Sequence, residues 1–217
     1  MSSHYVPVET KYRDYEFSGS AISNNGWTQK GQILSGVAQG VGNSQRQGMK
    51  YAIKSIHVRG HVRTTASEDG SGTTGALICG IALVLNRQTN GTALDTADIF
   101  DETLVSTDHP TLSFRKLESL HRFKILKHWT RALKLGEAVT RNLASPALVT
   151  IGIVRESFEF NVNFKEPLIV TCTGTADTVG SVLDNSISLI ATRDSFATAE
   201  NPTVELDYYS RIRFCEM

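Results

Sequence analysis

The stretch VAQGVGNSQRQGMKYAIKSIHVRGHVRT, residues 37–64, decides how this chain is read. It passes from a glycine-punctuated turn, Gln39-Gly40-Val41-Gly42, through Arg46-Gln47-Gly48 into a long strand. Met49, Tyr51 and Ile53 put apolar groups on odd positions, whereas Ile56, Val58 and Val62 put them on even ones. Side chains of a strand alternate with period two, so the phase switch near Lys54-Ser55 requires an extra residue, a β-bulge that bends the strand. Past the bulge His57, Arg59, His61 and Arg63 share one face. With Lys50 and Lys54 they make six cationic or potentially cationic side chains, and no carboxylate interrupts residues 37–64.

Outward from this strand the chain reads as β throughout. On its N-terminal side KGQILSGVA, residues 30–38, is a short half-apolar strand that Gly36 weakens or bends. Residues 1–29 are polar and without period, an extended arm tied down by aromatics such as Tyr5, Tyr12, Tyr15 and Phe17. On the C-terminal side, after the turn-like SEDGSGTTG, the apolar run ALICGIALVL at residues 76–85 suits a strand covered on both faces. In ALDTADIFDETL, Asp95 and Thr96 are caps for a short helix inside a long acidic connection. In RFKILKHWTRALKL, residues 122–135, Phe123, Ile125, Trp129 and Leu133 suit a strand, although Leu126, Trp129 and Leu133 also fit a helix; it is read as strand. Phe158, Phe160, Val162 and Phe164 alternate with polar residues, Pro167 breaks the ladder, and residues 168–173 start another strand. After the loop TADTVGSVLDN, strands follow at 186–192 and 203–214; in the last, Val204, Leu206, Tyr208, Ile212 and Phe214 oppose Glu205, Asp207, Tyr209, Arg211 and Arg213.

The expected strands lie near residues 31–38, 49–64, 75–87, 122–134, 156–164, 167–173, 186–192 and 203–214. Uneven spacing and long connections favour a Greek-key sandwich over an up-and-down barrel. The fold class is therefore all-β, a single eight-stranded jelly-roll sandwich of two four-stranded antiparallel sheets, with an N-terminal arm at residues 1–29 and the jelly roll at 30–217.

A single β domain of 217 residues is ordinary, as are 40% hydrophobic and 20% charged residues. The zero net charge hides a segregation: eight cationic residues against three acidic in 1–65, one against seven in 66–111, eight against two in 112–141, and five against ten in 142–217. Such blocks create oppositely signed surfaces, suited to polyanions or to self-association. Cys79, Cys172 and Cys215 are odd in number and far apart, so they are read as buried free thiols. No signal-peptide pattern and no run of 18 apolar residues is present, so a soluble protein without membrane contact is expected.

No catalytic constellation emerges. Arg59 and Arg63 would repel a cation from His57 and His61, no Cys-His signature surrounds Cys172 and His128, and Asp101-Glu102 fits a solvated loop. The glycines at 40, 42 and 48 lead into a strand and lack a Gly-Lys-Ser/Thr ending, so they form no phosphate loop. Asn90-Gly91-Thr92 matches a glycosylation sequon that carries little weight without a secretion signal. The expectation is a non-enzyme with no metal and no cofactor. The cationic content remains: Lys11, Arg13, Lys30, Arg46, Lys50 and Lys54 are the candidate nucleic-acid contacts, and His57, Arg59, His61 and Arg63 the candidate subunit interface. Contact to a polyanion needs only neutralisation and counterion release, so no base-reading motif is required beside them. The second basic block, from Arg115 through Lys134 to Arg141, interleaves with Phe123 and Trp129, both read as core.

The order of Gln39-Gly40, Arg46-Gln47-Gly48, the long strand with Ile53, Ile56, Val58 and Arg59, then LVLNRQTNG, LESLHRFKILKHW and the closing YYSRIRF resembles capsid proteins of small circular single-stranded DNA viruses. Circovirus-like and geminivirus-like coat proteins and the similar satellite necrosis virus coat protein share this organisation, and the likeness spans roughly residues 30–215. It implies a structural subunit of a small icosahedral shell, typically T=1 with sixty copies, enclosing a single-stranded DNA genome through non-specific basic contacts, RNA being the alternative. It further implies location in the virion, with passage through a host nucleus during assembly, and a host attachment factor that the sequence does not identify. Residues 1–29 depart from the family's basic arm, having only Lys11 and Arg13 against Glu9, Asp14 and Glu16. Either such an arm has been removed, or genome contact falls to the folded domain. Two rivals share the fold: a carbohydrate-binding, lectin-like jelly roll using Trp27 or Trp129, and a cupin-type enzyme, which needs a metal cluster that His57 and His61 do not assemble.

Overall fold

The computed structural model describes residues 9–64, 76–101, 109–134, 154–194 and 203–217. Among them the strands are β1 (Thr10–Ala21), β2 (Thr28–Gln29), β3 (Lys50–Thr64), β4 (Ala76–Asn86), β5 (Phe100–Asp101), β6 (Phe114–Arg115), β7 (Phe123–Lys134), β8 (Arg155–Thr171), β9 (Ser186–Arg193) and β10 (Val204–Glu216). Two four-stranded antiparallel sheets have the orders β1-β10-β3-β8 and β2-β9-β4-β7, and β5 pairs with β6 in a small ribbon outside them. Successive strands of the sandwich change sheet at every step except β4 to β7, which are neighbours, and the last strand lies between the first and third, which is the double Greek key of a jelly roll.

The phase switch in β3 is a real bulge. Phe214 of β10 pairs with Ile53 and Arg213 with Ser55, so Lys54 is the extra residue. On its two sides Tyr51, Ile53, Ile56, Val58 and Val62 all reach the core with essentially no exposure. The bulge keeps both halves of a 15-residue strand apolar on the same face.

Three strand expectations need correction. Residues 31–38 form no strand, and the first strand of the sandwich is β1, taken from the segment read as an arm. The amides of Lys30 and Leu34 bond the carbonyls of Leu189 and Ile187, but Gly31 between them has φ +75° and breaks the ladder. The apolar pattern of this segment records burial of Ile33, Leu34 and Val37 along an irregular path. Strands expected at 156–164 and 167–173 are one strand, β8. Opposite β3, Ile53 pairs with Leu168 and Ser55 with Asn163, so residues 164–167 form a bulge facing Lys54. Pro167 therefore sits in a bulge on an edge strand, where its missing N–H costs no ladder bond.

Between the sheets lies one core containing Ile53, Ile56, Val58, Ile81, Leu83, Leu189, Leu206 and Phe214. A second apolar cluster forms on the outer side of the β2-β9-β4-β7 sheet, where Trp27, Ala82, Val84, Ile99, Phe100, Phe123 and Ile190 meet. The long connection after β4 folds back over that sheet as a third layer. Its first turn is the short helix expected from Asp95: a 3-10 turn, Thr96–Asp98, whose N-cap Asp95 accepts the Ala97 amide at 3.0 Å. Trp27 seals the layer, donating Nε1–H to the Pro110 carbonyl at 3.1 Å and stacking on Phe100 at 4.7 Å with an interplanar angle of 11°. Gly80 makes room for it, since a Cβ there would lie 2.8 Å from the Trp27 ring. Cys79, Cys172 and Cys215 are buried free thiols, as read from their spacing.

Candidate nucleic-acid interface

Of the six cations assigned to nucleic acid, four are committed inside the fold. Lys11 is buried, with Nζ 2.5 Å from Glu216 Oε1 and 3.3 Å from the Gln45 carbonyl. Arg13 donates to Asp177 Oδ2 at 2.8 Å. Lys30 donates to the Ala21 carbonyl at 2.6 Å, and burial lowers its ammonium pKa. Arg46 has no exposure at all; its guanidinium donates to the carbonyls of Val37 and Gly48 in its own β2–β3 connection and of Gly174 in the β8–β9 connection, tying the two together. A sequence cannot distinguish an arginine that neutralises phosphate from one that satisfies buried carbonyls, because both occur in glycine-rich polar loops. Lys50 is exposed, and Lys54, the bulge residue, donates to Thr10 Oγ1 at 2.9 Å.

The second group sits as the sequence placed it, on the outer face of the β1-β10-β3-β8 sheet, but in a balanced grid. Register sets Asp14, Arg211, His57 and Asn161 in one row, Glu16, Tyr209, Arg59 and Glu159 in the next, and Asp207, His61 and Ser157 in the one beyond. Each carboxylate has a partner. Asp14 takes a two-pronged bond from Arg211 at 2.6 Å, which holds its carboxyl below the usual 3.8. Glu16 accepts the Tyr209 hydroxyl at 2.8 Å and thereby raises that phenol. Glu159 lies 2.6 Å from His57 Nε2, Asp207 lies 3.0 Å from His61 Nε2, and Glu205 lies 2.7 Å from Arg63. Arg59, at the centre, has no partner among the described residues. Two shallow depressions open on this face and both are lined by Arg59 and Tyr209, one continuing to Asp14, His57 and Arg211 and the other to His61, Ser157 and Glu159.

The second basic block is spread over the third layer and the edge strand β7. Arg115 donates to the Phe123 carbonyl at 2.8 Å, Arg122 pairs with Asp98 at 3.4 Å and lies over the Phe123 ring, and Lys124, Lys127 and Arg131 are exposed; Arg141 lies outside the described residues. Phe123 is core, and Trp129 packs on the main core with its ring 6.0 Å from that of Phe158. Trp27 is 3% exposed. Trp27 thus presents no open ring for a sugar, while Trp129 is half-buried. Among the described residues no three His, Cys, Asp or Glu side chains are grouped so as to hold a metal ion. Tyr12, Arg155 and Arg213, all exposed on the outer sheet face, were not among the sequence candidates; the alternation of Tyr209, Arg211 and Arg213 in YYSRIRF was the available signal.

No protein-family model matches the chain, and no curated protein matches it. Solved structures to which it is similar include three of viral origin. The human polyomavirus 6 VP1 pentamer is 10% identical, with a TM-score of 0.26, coverage being 97% of this chain and 96% of that one. Infectious bursal disease virus, Gx strain, is 14% identical with a TM-score of 0.24, coverage being 96% of this chain and 40% of the other. The Penaeus stylirostris densovirus capsid is 9% identical with a TM-score of 0.20, coverage being 98% and 88%. Likeness at this level carries no argument about function, and the jelly roll stands on the strand order alone.

Proposed function

We propose that this chain is a structural subunit of a virus-type capsid, assembling with copies of itself into a closed shell around nucleic acid. The observation that carries the reading is the third layer. Within nine residues it exposes Leu112 by 62%, Phe114 by 73% and Leu117 by 82%, with Leu120 beside them, on a connection whose inner side is otherwise well packed. Apolar side chains displayed together by a built segment are what a protein–protein contact uses, and closed symmetric assembly requires such patches on every copy. The jelly-roll order and the resemblance of the sequence to small single-stranded DNA virus coat proteins support the same reading. A T=1 shell of sixty copies and a single-stranded DNA cargo are its finer form.

Mass photometry and negative-stain microscopy of the purified protein test it. Uniform closed particles of megadalton mass are expected; a stable monomer at neutral pH and moderate salt across a wide concentration range overturns the proposal.

A further inference from the structure

The outer sheet face holds five carboxylates, Asp14, Glu16, Glu159, Glu205 and Asp207, and each is engaged by a side chain of the same face. Three arginines of that face, Arg213, Arg59 and Arg155, are exposed and have no partner among the described residues. Their placement is ordered. Arg213 on β10 stands opposite Ser55, four residues before Arg59 on β3; Arg59 stands opposite Glu159, four residues from Arg155 on β8. Each step therefore moves one strand across and four residues along, about 14 Å from strand geometry, so the three guanidinium stems lie on one diagonal.

A second diagonal runs beside the first. Tyr12 on β1 is the cross-strand partner of Arg213, and Tyr209 on β10 is the partner of Arg59. Both rings are open to solvent, 51% and 56% exposed, and both are pinned: Arg211 lies 4.9 Å over Tyr12, and Glu16 holds the Tyr209 hydroxyl. The face thus repeats one module, an immobilised tyrosine beside a free arginine, at a fixed offset.

We infer that this diagonal is a contact track for single-stranded nucleic acid, with bases stacking on Tyr12 and Tyr209 and phosphates meeting Arg213, Arg59 and Arg155. Stacking on fixed aromatic rings beside cations is how single strands are held without sequence reading. The steps exceed the spacing of neighbouring phosphates along a strand, so contact is intermittent. Paired bases offer no free face to the tyrosines, so duplex binds more weakly. The inference rests on the nucleic-acid part of the proposed function, yet it can fail or survive apart from shell formation. It also moves Arg59 from the subunit contact to the cargo.

The test is fluorescence anisotropy of a labelled 20-nucleotide oligothymidylate with the full chain. Three phosphate contacts predict a log–log salt slope of about −2, and Arg59→Gln reduces its magnitude by about 0.7. Tyr209→Leu weakens binding roughly tenfold while Tyr209→Phe, which keeps the ring, retains it. Arg131→Gln on the other sheet leaves affinity unchanged. Ultraviolet cross-linking of the unaltered protein is expected to mark Tyr12 or Tyr209. Absence of oligonucleotide binding, cross-links confined to other segments, or full affinity in the Arg59→Gln/Tyr209→Leu double variant overturns the inference, with the shell reading intact if particles still form. Loss of particles with unchanged oligonucleotide affinity in that variant also overturns it, by assigning the face to a second copy. A monomer that binds oligonucleotide through these residues keeps the inference and sinks the shell.

Discussion

At Arg46 a cation has no solvent exposure, and its donors reach the carbonyls of Val37, Gly48 and Gly174. Removing the guanidinium leaves the buried Val37 carbonyl and the part-buried Gly48 and Gly174 carbonyls unmatched, at about 1–3 kcal/mol for a buried acceptor and less for the others. Arg46→Leu is therefore expected to lower stability by roughly 3 kcal/mol or more in urea denaturation, and Arg46→Lys by less, because an ammonium keeps the charge but not the planar fork. A second outcome belongs to the buried thiols and phenols. Burial raises the Cys79 thiol from its usual 9.0 to about 12, and burial also raises the Tyr51 and Tyr208 phenols. A group raised in the folded state holds its proton after the unfolded chain has released it, so its contribution is complete below pH 9 and is lost as pH climbs toward 12. Lys30, lowered by burial, works in the opposite direction up to its ordinary 10.5. Burial raises the Cys172 thiol as well, so the raised groups outnumber Lys30, the urea midpoint falls between pH 9 and 11, and Cys79→Ala makes the fall shallower.

At the scale of elements, Trp27, next to a two-residue strand, ties it to the third layer by donating to the Pro110 carbonyl, accepting the Thr96 hydroxyl and stacking on Phe100. Truncating a buried tryptophan costs about 3–5 kcal/mol, and Trp27→Ala is expected to show that loss in a thermal melt together with faster proteolysis within residues 87–122. How legible each element was depended on what its residues had to satisfy. The bulge at Lys54 was readable because burial on both sides forces a phase change into the sequence itself. The capped turn at Asp95 and the doubly covered β4 and β9 were readable because capping and double coverage leave local signatures. Strand β1 was not: the alternation of Asp14, Tyr15, Glu16 and Phe17 is broken by an outward Tyr12 and an inward Arg13, whose partners come from distant parts of the chain. Residues 30–38 misled for the converse reason, since burial does not require a ladder. The candidate contacts divided the same way. The shared face of His57, Arg59, His61 and Arg63 followed from period two, but the separation of paired from free arginines depends on which carboxylates lie across β10 and β8, a relation of long sequence separation.

For the whole molecule, the third layer and the outer sheet face are different surfaces made by different parts of the chain, and the two proposals assign them different partners. Phe114→Asp and Leu117→Asp together are expected to shift sedimentation from particles to monomer while circular dichroism and oligonucleotide affinity stay unchanged, because both side chains are largely outside the packed layers. Particles that persist in this variant remove the apolar segment from the contact.

The bulge at residues 164–167 has Pro167 inside it and Lys165 and Glu166 exposed. Strand β8 is an edge, and an edge with a straight row of free amides and carbonyls invites another chain to extend the sheet indefinitely. Here the row is bent and lacks a donor. Fibre-like strand addition is thereby disfavoured, and in the proposed shell the junctions between copies fall to side chains, which salt and substitution can loosen one at a time.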